Sequence, residues 1–398
     1  MVKVLIPRER DAGETRVASS PEVVKRLTGR HVQCRVERGA GQQAGFSDEA
    51  YAAAGAELVN EGDNTAWAES DIVLSVGPLG NTTPPLRQGA LLIGQLAPHN
   101  NTSLLDQLER GRLSAISLEL LPRISRAQAM DVLSSQANIA GYKAVLLAAA
   151  ALDRFMPMLM TAAGTVQPAK VVVIGAGVAG LQAVATARRL GAVVSVSDVR
   201  AAAQEQVESL GARFIPPPEQ GVPGEAGGYA KQATMSFLDA QREGLSEHLN
   251  QADVVICTAQ VPGRPAPMLI TSAMVAGMRP GAVIVDLAVI QGGNCELSQA
   301  GQTVEHQGVQ VIGADRLPSS VAHHASSLYS RNLMSLLEAL IDKDGVLKLD
   351  SEDELLAPSL ISLDGNLRRT DLVPERTTSS EMTPVSYTHL RAHETQPY

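Results

Sequence analysis

Aromatic side chains and cysteines are scarce in this sequence. Only 3% of the 398 residues are Phe, Trp or Tyr, whereas 44% are hydrophobic, so the core must be built mainly from Ala, Val, Leu and Ile. The cysteines are Cys34, Cys257 and Cys295. They are odd in number, form no Cys-x-x-Cys pair and have no histidine at metal-ligand spacing, so the sequence indicates neither a disulfide framework nor a metal site. We expect reduced thiols in a cytosolic compartment.

Long apolar runs and an excess of positive charge are also lacking. The longest apolar stretch, residues 144–152, is well short of the roughly 20 residues of a membrane-spanning helix. The first residues, VKVLIP, are typical of a strand and not of a signal sequence. Acids outnumber Lys and Arg by 42 to 33, and the net charge of −9 disfavours a non-specific nucleic-acid binder. We therefore expect a soluble chain without a nucleic-acid partner.

Short β-branched runs alternate with Ala-rich helical stretches along the chain. This alternation is the pattern of parallel sheets with helices on both faces. Strands are predicted at residues 2–6, 32–37, 72–76, 91–96 and 113–118, and in a second group at 171–174, 193–197, 254–257, 283–287 and 309–312. The predicted fold class is α/β, with two Rossmann-like doubly wound parallel-sheet domains joined by long linker helices.

Two helical stretches, at about residues 126–155 and 326–340, are predicted to cross between the domains. The discontinuous first domain would comprise residues 1–125 with 326–370, and the second residues 138–320. Segment 216–228, PPPEQGVPGEAGG, lacks apolar periodicity and predicts a mobile loop, with a plain surface insertion as an equal alternative. Residues 371–398 are polar and end in a stretch that resembles translated adapter sequence, so we expect a disordered, non-native tail.

The segment KVVVIGAGVAG, residues 170–180, predicts a phosphate-binding turn. A lone GxGxxG is weak evidence, but here a strand precedes the motif and an Ala-rich helix follows it. Gly175 would permit the tight turn, Gly177 would let the backbone approach a pyrophosphate, and Gly180 would let the helix pack closely on the strand. The helix N-terminus would then offer free N–H groups to the phosphates of a dinucleotide.

An acidic residue follows the next predicted strand. Asp198 lies 198 − 180 = 18 residues past the last glycine of the motif, where an acid is expected to bind the ribose hydroxyls. A carboxylate there favours NAD over NADP, because it repels a 2′-phosphate. Arg200 is close by and argues in the other direction. The alternative is a glycine turn that binds no ligand.

A polar segment stands ahead of the predicted linker helix. Residues 121–142 read LPRISRAQAMDVLSSQANIAGY and are dense in side chains that bond amides. On a helix, Gln128, Asp131 and Ser135 would share one face because they are three and four residues apart. A nicotinamide carboxamide needs both donors and acceptors, which this segment supplies. Helix capping with a solvated face is the simpler alternative.

At this point the sequence resembles a known family, the NAD(H)-binding component of proton-translocating NAD(P) transhydrogenase. The resemblance extends over about residues 1–365 and includes PRER (7–10), ETRVA (14–18), PRISRAQ (122–128), SSQANIAGY (134–142), the GAGVAGLQA turn, AGGYAK (226–231) and GGNC (292–295). It implies that hydride passes directly between NADPH, held by a separate component, and NAD(H) on this chain. It further implies that a membrane component couples the transfer to proton translocation, that the chain is a homodimer, and that it lies on the cytoplasmic face of the membrane.

The resemblance also implies site residues. Those that would position the nicotinamide and serve catalysis are Arg123, Gln128, Asp131 and Ser134. Those that would line the adenosine half, beside the three glycines of the turn, are Val178, Asp198, Val199 and Arg200. Those in or near the mobile loop and the nucleotide cleft are Gly228, Tyr229, Gln241 and Gln260. Gln260 departs from the Leu that is usual in the family.

Alanine dehydrogenase, which shares this pattern, is the nearest rival. It needs a cationic anchor and titratable groups for its amino-acid substrate. Its Lys would fall near Val76–Gly77, its His at Gln95 and its Asp at Ile290. All three are missing, as direct transfer between two nicotinamides allows, since that reaction requires orientation and no acid or base. An alanine-dehydrogenase-like enzyme and a non-catalytic NAD-binding module remain the alternatives.

Overall fold

The computed structural model describes residues 1–80, 84–218, 225–226, 229–230, 234–261, 264–343 and 345–372. In these ranges the strands are β1 Lys3–Ile6, β2 Gln33–Glu37, β3 Glu57–Val59, β4 Ile72–Leu74, β5 Leu91–Gly94, β6 Ser114–Ser117, β7 Leu159–Thr161, β8 Gly164–Val166, β9 Lys170–Ile174, β10 Val193–Ser197, β11 Arg213–Ile215, β12 Glu225–Ala226, β13 Tyr229–Ala230, β14 Val254–Cys257, β15 Val283–Asp286, β16 Thr303–His306, β17 Val309–Gly313, β18 Leu360–Leu363 and β19 Asn366–Leu367. Each of the ten strands predicted from the sequence occurs, within a few residues of its predicted bounds.

The α-helices in the same ranges are α1 Pro21–Thr28, α2 Asp48–Ala53, α3 Asn64–Ala68, α4 Thr102–Gly111, α5 Val132–Ala151, α6 Val178–Arg189, α7 Ala203–Ser209, α8 Met235–Asn250, α9 Ser272–Ala276 and α10 Ala322–Leu340. None of these helices combines the length and the apolar character that crossing a membrane requires. Most of the predicted loop 216–228, and residues 373–398 of the predicted tail, lie outside the described residues.

The described strands form two large sheets. The first has the order β19-β18-β6-β5-β4-β1-β2-β3 and the second β11-β10-β9-β14-β15-β17-β16. Both are parallel except at an edge, where β18 pairs antiparallel with β6 and β19, and β16 pairs antiparallel with β17. The α/β class with Rossmann-like parallel sheets is therefore confirmed, and the antiparallel edges are an addition to the prediction.

Helices cover both faces of each sheet because successive strand residues point to opposite sides. In β1, Val4 and Ile6 join an apolar cluster with α1 and α10, whereas Leu5 joins a cluster with α3 and α4. In β9, Val171 and Val173 pack with α5 and α6, whereas Val172 and Ile174 pack with α8 and α9. The run of β-branched residues in each central strand follows from this burial on both faces.

The predicted helix at residues 126–155 is wrong at its start. The structure has a 3-10 turn over Ser125–Met130, and α5 begins only at Val132. The break occurs because Asp131 acts as the N-cap, with its carboxylate accepting a hydrogen bond from the Ser134 amide at 2.9 Å. Gln128, Asp131 and Ser135 therefore do not share one face of a continuous helix.

Candidate functional site

The glycine turn after β9 has the geometry expected of a phosphate-binding turn. Gly175 has φ +96°, which favours glycine, and a Cβ there would lie 2.7 Å from the Thr258 hydroxyl oxygen. A Cβ on Gly180 would overlap the Gly175 carbonyl oxygen, so α6 can approach the turn only with glycine at that position. Both observations match the roles that the spacing of the motif predicts for the two glycines.

Gly177 is the position that leaves room for a ligand. It is the N-cap of α6 without a side-chain cap, and no heavy atom lies within 4 Å of the place a Cβ would occupy. The N-terminus of α6 therefore has open space beside Gly177, and a methyl group at that position would take up part of it. The turn also follows the central strand β9, which pairs with β10 on one side and β14 on the other. These residues fit the pyrophosphate of a dinucleotide.

Asp198 is held by partners within the protein. One carboxylate oxygen accepts from the Arg200 amide at 2.8 Å and from Arg200 Nε at 2.9 Å. The other accepts from the Ala176 amide at 2.7 Å and from Arg200 Nη2 at 2.9 Å. A carboxylate has about four acceptor positions, and four donors already reach this one. The ribose contact expected for Asp198 stays a prediction, and it requires the Arg200 pair to open or share.

Helix α5 supports the turn from behind. A Cβ on Gly141 would overlap the Ala179 carbonyl oxygen in the first turn of α6. The two helices therefore touch backbone to backbone at this point. Helix packing therefore explains the glycine near the end of the SSQANIAGY segment, because only glycine permits such a close approach.

The polar segment ahead of α5 surrounds a pocket of about 510 Å³. Its polar lining residues are Glu119, Arg123, Ser125, Gln128 and Asp131. Arg123 and Gln128 are exposed, whereas Asp131 is partly buried. We name residues 123–134 the ring loop. The structure brings Arg123, Gln128 and Asp131 to one pocket, and their action on a nicotinamide stays a prediction.

Asp131 and Ser134 also have a structural role. The second carboxylate oxygen of Asp131 accepts a hydrogen bond from the Ser134 hydroxyl at 2.6 Å, in addition to the capping bond from the Ser134 amide. The capping alternative is therefore correct for this pair. It is compatible with the ring-positioning role, because the cap fixes the orientation of the Asp131 carboxylate beside the pocket.

The other residues predicted to contact the nucleotide range from buried to exposed. Val178, the first residue of α6, is 40% exposed, and Gln241 on α8 is buried at 6%. Val199 is partly buried between Asp198 and Arg200. Gln260 is exposed and donates its side-chain amide to the Leu287 carbonyl at 2.9 Å. Gly228 and the side chain of Tyr229 lie outside the described residues.

A further candidate position, which the sequence did not single out, is the switch point of the first sheet, at the carboxyl ends of β1 and β4. We name it the first-sheet crevice. Strand β1 pairs with β2 on one side and β4 on the other, which is the point of strand-order reversal where open α/β sheets bind ligands. Here Glu9 accepts hydrogen bonds from the Val76 amide at 2.6 Å and the Gly77 amide at 3.3 Å. A carboxylate of the chain itself thus occupies these amides.

Acidic and basic side chains lie close together in the first-sheet crevice. Burial raises the pKa of Glu9 to about 7, against the opposing effect of its two backbone hydrogen bonds. Glu14 and Arg16 lie close enough to act on this pKa, the former raising it and the latter lowering it. Among the residues that the structure describes, no group of three or more His, Cys, Asp or Glu side chains is placed to hold a metal ion.

Comparison with known proteins decides the family. The family model "Alanine dehydrogenase/PNT, N-terminal domain" matches residues 5–140, and "Alanine dehydrogenase/PNT, C-terminal domain" matches residues 144–370. The chain belongs to the alanine dehydrogenase/PNT family. This confirms the family resemblance and, together with the glycine turn, the NAD(H) cofactor.

Within the alanine dehydrogenase/PNT family, the chain is 46% identical over 373 residues to the first part of the NAD(P) transhydrogenase subunit alpha of Rhodospirillum rubrum, covering 92% of this chain and 97% of that one. It is 32% identical to the alanine dehydrogenase of Mycolicibacterium smegmatis, covering 91% and 93%. A solved transhydrogenase from Sinorhizobium meliloti superposes with a TM-score of 0.83 at 43% identity, covering 92% and 99%. The chain is thus more similar to these transhydrogenases than to that alanine dehydrogenase.

Proposed function

We propose that this chain is the NAD(H)-binding component of a proton-translocating NAD(P) transhydrogenase. The proposed reaction is direct hydride transfer between NADPH on a partner component and NAD⁺ on this chain, coupled to proton translocation by a membrane component. The main support is that three groups expected of an amino-acid dehydrogenase are absent. Where the family resemblance places Lys, His and Asp in an alanine dehydrogenase, this chain has Val76–Gly77, Gln95 and Ile290, and it is more similar to the transhydrogenases compared above than to that alanine dehydrogenase.

The residues of this chain would bind and orient, and the chemistry would belong to the cofactor. When bound, NAD supplies the ring carbon that accepts or gives up the hydride. The first turn of α6 would hold the pyrophosphate, and the ring loop would orient the nicotinamide through Arg123, Gln128, Asp131 and Ser134. Exclusion of water from the transfer site is the remaining requirement, and the partner component would complete it.

An exposed apolar hairpin supports the proposed homodimer. Strands β7 and β8 pair antiparallel. The exposed apolar residues in and beside the hairpin are Phe155 at 56%, Met158 at 57%, Leu159 at 38%, Met160 at 72% and Val166 at 42%. Contiguous apolar side chains of this kind mark protein–protein contacts. We propose that this hairpin meets a second copy, and that the dimer associates with the membrane component on the cytoplasmic face.

A transfer assay tests the proposed function. The chain is mixed with the NADP(H)-binding component of a related transhydrogenase, NADPH and an NAD analogue whose reduced form absorbs at a longer wavelength. We expect NADPH-dependent reduction of the analogue well above the rate with either component alone. Equal rates with and without this chain, under conditions where it binds NADH, would rule the proposal out.

The alanine-dehydrogenase alternative is kept because one relative with that name is 32% identical. It requires turnover of alanine with NAD by this chain alone. We expect none, because Gln95 and Ile290 do not exchange protons near neutral pH. Turnover at ordinary enzyme rates would favour this alternative and overturn the interpretation of these two positions.

A further inference from the structure

A short segment of the first sheet unit is bonded to both linker helices. Arg16 donates from Nη1 to the Gln136 side-chain oxygen on α5 at 2.9 Å. Gln136 in turn donates its amide to the Ala325 carbonyl on α10 at 3.1 Å. One residue further along the segment, the Val17 amide donates to the Ser326 hydroxyl at 3.0 Å. The ETRVA segment is therefore a junction between the first sheet and both helices.

The guanidinium that bonds Gln136 is also bonded to Glu14, which fixes its orientation. Its Nε and Nη2 donate to the two carboxylate oxygens of Glu14 at 2.8 and 2.7 Å, and Ser319 donates to Glu14 at 3.0 Å. The side chains of Arg16 and Glu14 are only 13% and 10% exposed. Burial alone would raise the pKa of Glu14, but its hydrogen bonds to Arg16 outweigh burial and hold the pKa below its usual value. A bidentate, largely buried ion pair of this kind holds the guanidinium in a single orientation.

Gln136 lies between the two ends of the candidate site on α5. It is two residues after Ser134, which closes the cap of the ring loop, and five residues before Gly141, which touches the first turn of α6. Ser134 and Gly141 are seven residues apart, about 10 Å along the helix axis. Because the close backbone contact with Ala179 holds α5 at Gly141, loss of the contact at Gln136 would let the N-terminal end of α5, and the ring loop with it, move relative to the phosphate turn.

We propose that Arg16, held by Glu14 and bonded to Gln136, is a positioning residue that fixes the first turn of α5 and thereby the ring loop. This inference rests on the proposed function, because it assigns the ring loop to the nicotinamide. Phosphate binding depends on α6 and on the contact at Gly141, which the Arg16–Gln136 bond does not make. Loss of the bond should lower the hydride-transfer rate and leave NADH affinity nearly unchanged, since misplacement of a reacting ring slows transfer without removing binding contacts.

The main variant is Gln136→Met, which keeps the length of the side chain and the Arg16–Glu14 pair but removes the three hydrogen bonds of Gln136, to Arg16, to the Ala325 carbonyl and to the Ser135 hydroxyl at 3.3 Å. The matched variant Gln136→Glu keeps an acceptor for Arg16 and loses the donor to Ala325 and Ser135. Arg16→Lys keeps the charge beside Glu14 without the fork, and serves if Gln136→Met does not fold. Arg26→Gln is the control, because Arg26 forms an exposed pair with Glu338 at 3.2 Å away from α5.

Four quantities are measured for each variant: the transfer rate with the partner component, the Kd of NADH, the fluorescence lifetime of bound NADH, and amide hydrogen exchange of residues 131–136 in the free protein. We expect Gln136→Met to lower the transfer rate about tenfold and to speed exchange about tenfold, with Kd changed less than twofold. Gln136→Glu should recover most of the rate. Arg26→Gln should match the wild type in all four.

Three outcomes would overturn the inference. The first is a wild-type transfer rate in Gln136→Met, and the second is a Kd that rises by the same factor as the rate falls. The third is a Gln136→Glu variant as slow as Gln136→Met, which would assign the effect to the bonds that the Gln136 amide donates and not to Arg16. If the wild-type chain itself transfers no hydride, the proposed function fails. Exchange and lifetime still judge the Arg16–Gln136 contact in that case, since neither needs the partner.

Discussion

The two sheet units share an architecture and differ at the carboxyl ends of their central strands. In the second unit, Gly177 leaves open space at the N-terminus of α6. In the first unit the loop amides are already bonded, since Glu9 accepts from Val76 and Gly77, and Glu119 accepts from Leu96 at 3.2 Å and Ala97 at 2.5 Å. The second unit also has one turn amide bonded by a carboxylate, that of Ala176 to Asp198 at 2.7 Å, so the two units differ in the open space beside Gly177.

Under the proposed function, this difference would let a two-unit α/β chain bind one nucleotide in its second unit and no substrate in its first. Backbone amides at a strand end attract anions whichever unit they belong to. Glycine leaves space beside such amides, whereas in the first unit an acidic side chain from the loop of a neighbouring strand accepts their hydrogen bonds. The first unit would then act as a frame for the ring loop, and the second would hold the cofactor.

The largest expected effect comes from a substitution in the glycine turn of the second unit. Gly180→Ala should weaken NADH binding at least about 100-fold, roughly 3 kcal/mol, because its Cβ would push α6 off the Gly175 carbonyl. NADH fluorescence titration measures the change. Gly244→Ala on α8 is the matched control, since nothing lies within 4 Å of its Cβ position. Equal affinities for the two variants would show that the turn does not bind the cofactor.

The next largest effect is expected at Glu9 in the first unit, in the pH dependence of the free energy of unfolding. The pKa of Glu9 is raised from 4.5 to about 7 on folding, so this carboxyl stabilises the folded protein at low pH, and the stabilisation is lost as the pH rises through 7. Relative to Glu9→Gln, the wild type should lose at most about 2 kcal/mol of unfolding free energy between pH 5 and 7.5. Urea unfolding at several pH values measures the difference, with Glu14 and Arg16 unchanged in both proteins. A constant difference across this range would contradict the prediction.

A smaller effect on NADH binding is expected from a substitution at Gly177. Gly177 has φ −76° and open space around its Cβ position, so Gly177→Ala should fold with unchanged thermal stability. The added methyl would take up part of this space and weaken NADH binding about tenfold, or 1.4 kcal/mol. Calorimetric titration and thermal unfolding of the same sample measure both quantities. Tight NADH binding by this variant would mean that the pyrophosphate lies elsewhere.

The two crevices also differ in how far the sequence predicted them. The glycine turn follows from the spacing of Gly175, Gly177 and Gly180, because each glycine answers a local steric need. The first-sheet crevice depends on Glu9 meeting Val76 and Gly77, which are 67 and 68 residues away. No local pattern encodes that meeting, although three acids and three arginines in PRERDAGETR are an unusual density of charge beside a buried strand.

The remaining errors have local causes. The start of α5 was predicted too early because the apolar pattern continues through residues 125–130, whereas the Asp131 cap ends it. The sequence does not predict β16, at an edge of the second sheet, or β18, which lies between β6 and the edge strand β19, because their sequences TVEH and LISL lack a longer run of β-branched residues. The occupation of Asp198 by Arg200 was likewise unforeseen, because sequence spacing does not reveal which donors reach a carboxylate first.

The smallest expected effect concerns nucleotide choice at that pair. Arg200 neutralises Asp198 through hydrogen bonds from Nε and Nη2, both at 2.9 Å. Arg200→Gln would remove the cation beside the carboxylate, which keeps its hydrogen bonds from the backbone amides of residues 176 and 200. The variant should raise the preference for NADH over NADPH about threefold, because the carboxylate would repel the 2′-phosphate. Asp198→Asn would release the guanidinium and should lower the preference by a similar factor. The ratio of the two Kd values within each variant cancels any general loss of folding. Shifts of the same sign in both variants would mean that neither charge faces the ribose, and that the second unit selects its nucleotide by shape.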